Sequence, residues 1–172
     1  MTCPSKRRGR PEPMQVVKGR RDRALRALVD GVPWIAFLGI RFERHGDELT
    51  AVMPYQEKLI GNPMLPALHG GATAGFLETA AIIELSWSTL WEDVESGAID
   101  LNDPAVLEGL KFPKTIDFTV DYLRTGLPRD AYARARVTRS GRRYASVHVE
   151  AWQDNRVRPF AQATGHFLMP ST

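Results

Sequence analysis

The stretch LPALHGGATAGFLETAAIIELSW, Leu65–Trp87, decides the fold. Gly70 and Gly71 form a flexible entry to a helix that reads from about Gly70 to Trp91. Its apolar residues (Ala72, Ala74, Phe76, Leu77, Ala80, Ala81, Ile82, Ile83, Leu85) occupy every side rather than one stripe. A helix that is apolar all round has to be wrapped by other structure. The carboxylate of Glu78 sits in the middle of this run, where burying a charge is costly unless it has a partner or a task.

The wrapping comes from the C-terminal half. From Lys114 onward the period is two: Ile116, Phe118, Val120 and Tyr122 alternate with Thr115, Asp117, Thr119 and Asp121. Ala131 to Val137, Ala145 to Ala151 and Ala161 to Met169 repeat the pattern, with a turn at Ser140-Gly141. Upstream, WIAFLGIRFERHGDELTAVMP reads as a hairpin whose two runs meet at Arg44–Asp47, and residues 55–68 read as a loop. The expected order is ββαββββ, an α+β architecture in which a curved antiparallel sheet surrounds one long helix.

A chain of 172 residues, 43% hydrophobic and 25% charged, is enough for one domain with a real core. No apolar run approaches the roughly 20 residues needed to span a bilayer, so no membrane partner is expected. Cys3 is the only cysteine, which rules out a disulfide framework or a thiolate metal site and points to the cytoplasm. His45, His148 and His166 lie on different elements without ligand spacing, so neither a metal nor another cofactor is expected.

Charge is uneven. Residues 1–26 carry nine Lys/Arg against Glu12 and Asp22, a net +7 that the rest of the chain reduces to +3. Residues 1–19 are expected to be a basic, disordered arm, with a short amphipathic helix from Arg20 to Val29 and a single domain over 20–172. Nucleic acid is not expected as a partner, because the arm is too short for a helix-turn-helix domain. Residues 84–108 hold seven acids and no Lys or Arg, so an acidic surface insertion is expected at about 92–110 and Glu84 at a surface or interface.

The segment NPMLPALHGGATAGFLETA resembles the signature of hotdog-fold acyl-CoA thioesterases, especially the PaaI-like branch: an Asn, then His-Gly-Gly, then an acid nine residues past the His. Here that acid is Glu78. TIDFTVDYLRTG, GRRYASVHVEAW and AQATGHFLM resemble the last four strands of the same family. The chain departs from it in having Glu where the branch usually has Asp, one residue more between Asn62 and His69, and a longer helix-to-strand connection. The resemblance implies a hotdog fold and acyl-CoA hydrolysis without a cofactor. It also implies a homodimer with shared active sites, and a dimer of dimers as the larger assembly. Among the site residues it implies are Asn62 and a strand hydroxyl, Thr115, near the attacking water.

Thioester hydrolysis needs a base or nucleophile at the carbonyl carbon and donors for the developing oxyanion. Gly70, at the helix start, offers an unpartnered N–H and the positive end of the dipole, while Gly71 lets substrate approach the backbone. Glu78 supplies the carboxylate as general base or nucleophile, and His69 is either a catalytic acid or a residue that fixes the loop. Arg124, Arg142 and Arg143 are candidates for the coenzyme A phosphates. Phe37, Phe76, Trp87 and Trp91 belong either to the core or to an acyl pocket. Gly70 and Glu78 lie eight residues apart, about 12 Å along a helix, too far for one carbonyl to meet both. The expected solution is Gly70 of one protomer facing Glu78 of its partner. Two other functions fit a hotdog chain: a non-catalytic acyl-CoA-binding protein or sensor, and an acyl-thioester dehydratase or hydratase.

Overall fold

The computed structural model describes residues 12–101, 103, 105, 106 and 109–170. Two helices open it. The first, α1 (Met14–Val29), buries Ala24, Leu25 and Leu28 on one side and ends before Gly31, at φ +89°. The second, α2 (Pro33–Leu38), has Pro at its first position and closes on Gly39 in the left-handed region. Two of the sequence expectations are corrected here. The arm expected to be disordered to residue 19 is helical from Met14 (residues 1–11 lie outside the described ones), and the apolar run Trp34–Leu38 is helix, not strand.

The hairpin strands come next as β1 (Arg41–His45) and β2 (Glu48–Met53), in register from Arg41↔Val52 to His45↔Glu48, with Gly46 at φ +65° making the tight turn. The segment expected to be a loop contains a 3₁₀ turn, Glu57–Leu59, and a small hairpin of β3 (Ile60–Asn62) with β4 (Ala67–Leu68). The central helix α3 runs Gly70–Ser96, about 40 Å, and stops at Gly97, φ +75°.

Four strands complete the sheet: β5 (Lys114–Tyr122), β6 (Ala131–Ser140), β7 (Tyr144–Trp152) and β8 (Ala161–Leu168). The six-stranded antiparallel order is β1-β2-β6-β7-β8-β5. Its inner face is largely small, with Ala131, Ala133, Ala145, Ala151, Ala161 and Ala163 almost fully buried. Side chains that short let α3 lie close against the sheet, where Phe76, Leu77, Ala81, Ile83 and Leu85 pack with Val147, Val149 and Phe167. On its other side α3 meets α1. This is the hotdog arrangement expected, with α1 and α2 added to its wrapping.

The acidic segment is less superficial than its composition suggested. Its first residues extend α3, and Ile99, Leu101 and Leu110 rest on the core.

Candidate active site

Three hydrogen bonds fix the start of α3. His69 N–H donates to Leu59 O at 2.8 Å, His69 O accepts from Thr73 N–H at 3.0 Å, and His69 Nδ1 accepts from Gly71 N–H at 2.9 Å. Nδ1 therefore carries the lone pair and the ring proton sits on Nε2. The side chain caps the helix. Gly61 makes the packing possible, since a Cβ there would lie 2.7 Å from His69 Cα. Asn62 is exposed and spends its Oδ1 on its own turn, accepting from Met64 N–H at 3.0 Å and Leu65 N–H at 3.3 Å.

With Gly71 N–H engaged, no acceptor among the described residues meets the Gly70 N–H, which points out of the first turn at the positive end of a 27-residue helix. Tyr122 Oη donates to Gly70 O at 2.8 Å. Two turns along, half-buried Glu78 accepts at Oε1 from Thr115 Oγ1 at 2.6 Å. Strand β5 thus touches α3 at both of its ends, Thr115 at Glu78 and Tyr122 at Gly70.

A bulge places Thr115 there. Thr115 pairs with Phe167 and Asp117 with His166, so Ile116 is the extra residue. Phe118, Val120 and Tyr122 pair with Gly165, Ala163 and Ala161, on the face that looks at the helix. The bulge shifts the alternation by one, bringing Thr115 onto that face and leaving Ile116 56% exposed. The expected inward position of Ile116 is corrected accordingly.

Residues 61–168 match the family described as the acyl-CoA thioesterase N-terminal domain. The chain belongs to that family. Over 139 residues it is 28% identical to the medium/long-chain acyl-CoA thioesterase YigI of Escherichia coli K12, covering 80% of this chain and 86% of that one. A solved Chromobacterium violaceum protein is 36% identical, with 91% and 98% of the two chains covered and a TM-score of 0.60. The Escherichia coli PaaI protein of the phenylacetic acid degradation operon, at 16% identity, shares the fold over 91% and 98% with a TM-score of 0.66. The chain is a thioesterase with the hotdog fold.

The cations of this thioesterase do not converge within one chain. Arg142 and Arg143 are exposed in the β6–β7 turn, at the end of the sheet where Tyr144 and Lys114 both pair with Leu168. Arg124 follows β5 at the other end, its Nη1 donating to Pro159 O at 3.3 Å. The β8 strand from Ala161 to Leu168 separates the two ends by about 24 Å. Glu78 and Thr115 share the end with Arg142 and Arg143, whereas Gly70 and Tyr122 share the end with Arg124.

Glu84, expected at a surface or interface, is not fully exposed in the chain. It is partly buried on α3, and its pKa is pushed from 4.5 to about 7 by burial first and by the Glu48 carboxylate second. Of the aromatic residues, Phe76 and Trp87 are core, Trp91 stacks on Trp87 beneath the Arg21 guanidinium, and Phe37 is exposed. Residues that sequence reasoning passed over, Trp34 and Phe112, instead border an apolar cavity beside Thr79 and Ile82. The Pro at the start of α2 was the signal for a helix that would carry Trp34 against α3. Among the described residues no helix is long and apolar enough to cross a membrane, and no group of three or more potential metal ligands is found.

Proposed function

We propose that the chain hydrolyses an acyl-CoA ester to the free acid and coenzyme A in a cleft completed by a second copy of itself. The observation that carries this reading is the separation of the two halves of the site. The unengaged Gly70 N–H and the Glu78 carboxylate lie two turns apart on α3 and at opposite ends of β5, the last strand of the sheet. Two copies of β5 meeting antiparallel about a two-fold axis bring the Tyr122 end of one against the Thr115 end of the other. Gly70 of one protomer then faces Glu78 of its partner, twice per dimer. Exposed Ile116, Tyr122 and Leu123 along this edge suit such an interface.

In this cleft Glu78 acts on the thioester carbonyl carbon, either by taking a proton from the water that attacks it or by attacking directly, forming a mixed anhydride with loss of the thiolate that water then hydrolyses. As general base it leaves a tetrahedral oxyanion, held by Gly70 N–H, which collapses with loss of the thiolate; the proton then passes to sulfur. Thr115 fixes the carboxylate, His69 holds the loop, and Asn62 keeps its side-chain amide N–H groups available as donors to the substrate. Gly71 allows close approach of the thioester to the backbone. Arg142 and Arg143 of one protomer and Arg124 of the other bracket the phosphates. The medium- and long-chain esters named for YigI set the substrate class to try first. A single cysteine suits the reducing cytoplasm, where we place the reaction. The basic α1 is no nucleic-acid arm in this reading, since Arg20 pairs with Glu12 and Glu95, and Arg21 pairs with Asp47.

The test is free-thiol release from a panel of acyl-CoA esters by wild type and Glu78→Ala. Release that the variant loses by 10²-fold or more supports the reading. Binding of esters without release by wild type overturns it in favour of a sensor.

A further inference from the structure

Along α3 from Glu78, the residues Thr79, Ile82 and Ile83 border a cavity of about 160 Å³ whose other walls come from Val32, Trp34 and Ile35 on one side and Phe112 on the other. The Thr79 hydroxyl donates to Gly75 O at 2.6 Å and is spent on the helix backbone. Apart from the indole N–H of Trp34, the remaining walls are hydrocarbon. Ile82 is one turn beyond Glu78 on the same face, and Phe112 is three residues before Thr115, which holds the Glu78 carboxylate. These neighbours place the cavity within about one helical turn of Glu78 along α3.

Trp34 can line the cavity because position 75 is glycine. A Cβ at Gly75 would lie 2.8 Å from Trp34 Cζ2 and 3.2 Å from Trp34 Nε1, so the indole rests directly on the helix backbone three residues before Glu78. Its outer side stacks on Phe37 at 5.6 Å between centroids, and Lys58 Nζ lies 4.5 Å over the Phe37 ring. Lys58 also donates to Phe37 O, which ties this aromatic wall to the loop before β3. An apolar space of about 150 Å³ is large enough for a benzene ring.

We infer that this cavity is the acyl subsite, and that Trp34, seated on Gly75, limits it to an apolar tail of about six carbons beyond the carbonyl, linear or aryl. The inference rests on the thioesterase reading above and adds to it the size of the acyl group and the residue that sets it. Burying one methylene is worth about 0.8 kcal/mol, roughly fourfold in kcat/KM, for as long as there is room for it.

The experiment is a chain-length series from butyryl- to hexadecanoyl-CoA, with phenylacetyl-CoA, read as kcat/KM for wild type, Trp34→Ala and Ile82→Trp. Wild type should gain about fourfold per methylene up to hexanoyl or octanoyl and then level off or fall. Trp34→Ala should carry the rise on to about dodecanoyl, raising the dodecanoyl-to-hexanoyl ratio by about 10²-fold or more. Trp34 is 47% exposed, so the variant should keep its fold, which its melting temperature checks. Ile82→Trp fills the cavity from the helix side and should lower hexanoyl and phenylacetyl esters toward the butyryl value. If both variants keep the wild-type profile while release still depends on Glu78, the subsite assignment is wrong and the thioesterase reading stands. If wild type releases thiol from no ester, both fall together.

Discussion

Thr115 Oγ1 donates to Glu78 Oε1 at 2.6 Å, and it can do so only because the strand bulges at Ile116 and turns Thr115 toward the helix. Bulges at sheet edges commonly re-aim a side chain toward a site. A hydrogen bond to an ionised group contributes about 1.5–3 kcal/mol. If Thr115 orients the attacking carboxylate, Thr115→Val should lower kcat by about 10- to 100-fold with little change in KM, and Thr115→Ser should restore most of it. Steady-state kinetics on one good ester decides this. Equal activity of the Val and Ser variants would show that the hydroxyl only serves the strand.

Gly61 and His69 make a steric prediction. A methyl group at Gly61 would have to displace His69 backbone, at 2.7 Å from its Cα, so Gly61→Ala cannot be absorbed by a side-chain rotation. Overpacking of this kind costs about 1–3 kcal/mol, and each kcal/mol lowers Tm by about 2–4 °C in a domain of this size. The same shift moves the cap that aims Gly70 N–H. Calorimetry should show the lower Tm, and activity below the new Tm should fall as well. An unchanged Tm would mean that the hairpin of β3 and β4 yields more easily than its contacts suggest.

The last four strands and the start of α3 were legible in the sequence, each for a local reason. Strict alternation marks a sheet with one covered face, and an all-round apolar helix leaves only one way to bury it. The misreadings share a cause as well. Trp34–Leu38 is a continuous apolar run whose period could not separate strand from helix, and Pro33 and Gly39 were the decisive signals. The bulge at Ile116 depends on how β5 meets β8, and the seating of Trp34 depends on Gly75, 41 positions away. Glu84 sits beside Glu48 only after β2 has folded alongside α3. Such relations belong to the tertiary structure and leave no periodic trace.

Glu84 makes stability depend on pH. Its folded pKa, about 7, lies above the ordinary 4.5, so between these values the native state holds a proton that the unfolded chain gives up. Stability from this group is therefore full below pH 4.5, falls as pH rises to about 7, and is flat above. The loss is on the order of 2–3 kcal/mol. Glu84→Gln keeps the shape and removes the charge, so it should flatten this part of the profile and be more stable than wild type at pH 8. Urea midpoints at pH 5 and pH 8 measure it. A variant no more stable at pH 8 would place the Glu84 carboxylate in water.

The division of the site between two protomers can be tested by complementation. Gly70→Pro removes the N–H proposed to bind the oxyanion, at a first helical position where proline is accepted, and His69 at ψ 129° has the extended backbone that a following proline requires. Glu78→Ala removes the carboxylate. Each variant alone should be inactive. In a mixed dimer, one cleft combines Gly70 of the Glu78→Ala chain with Glu78 of the Gly70→Pro chain and is intact, while the other lacks both. Random reassociation of equal amounts makes about half the dimers mixed, each with one working cleft, so activity should return to about a quarter of wild type. Sites contained within single protomers would give no recovery, because neither chain then carries both groups. Thiol release measured before and after co-refolding separates the two outcomes.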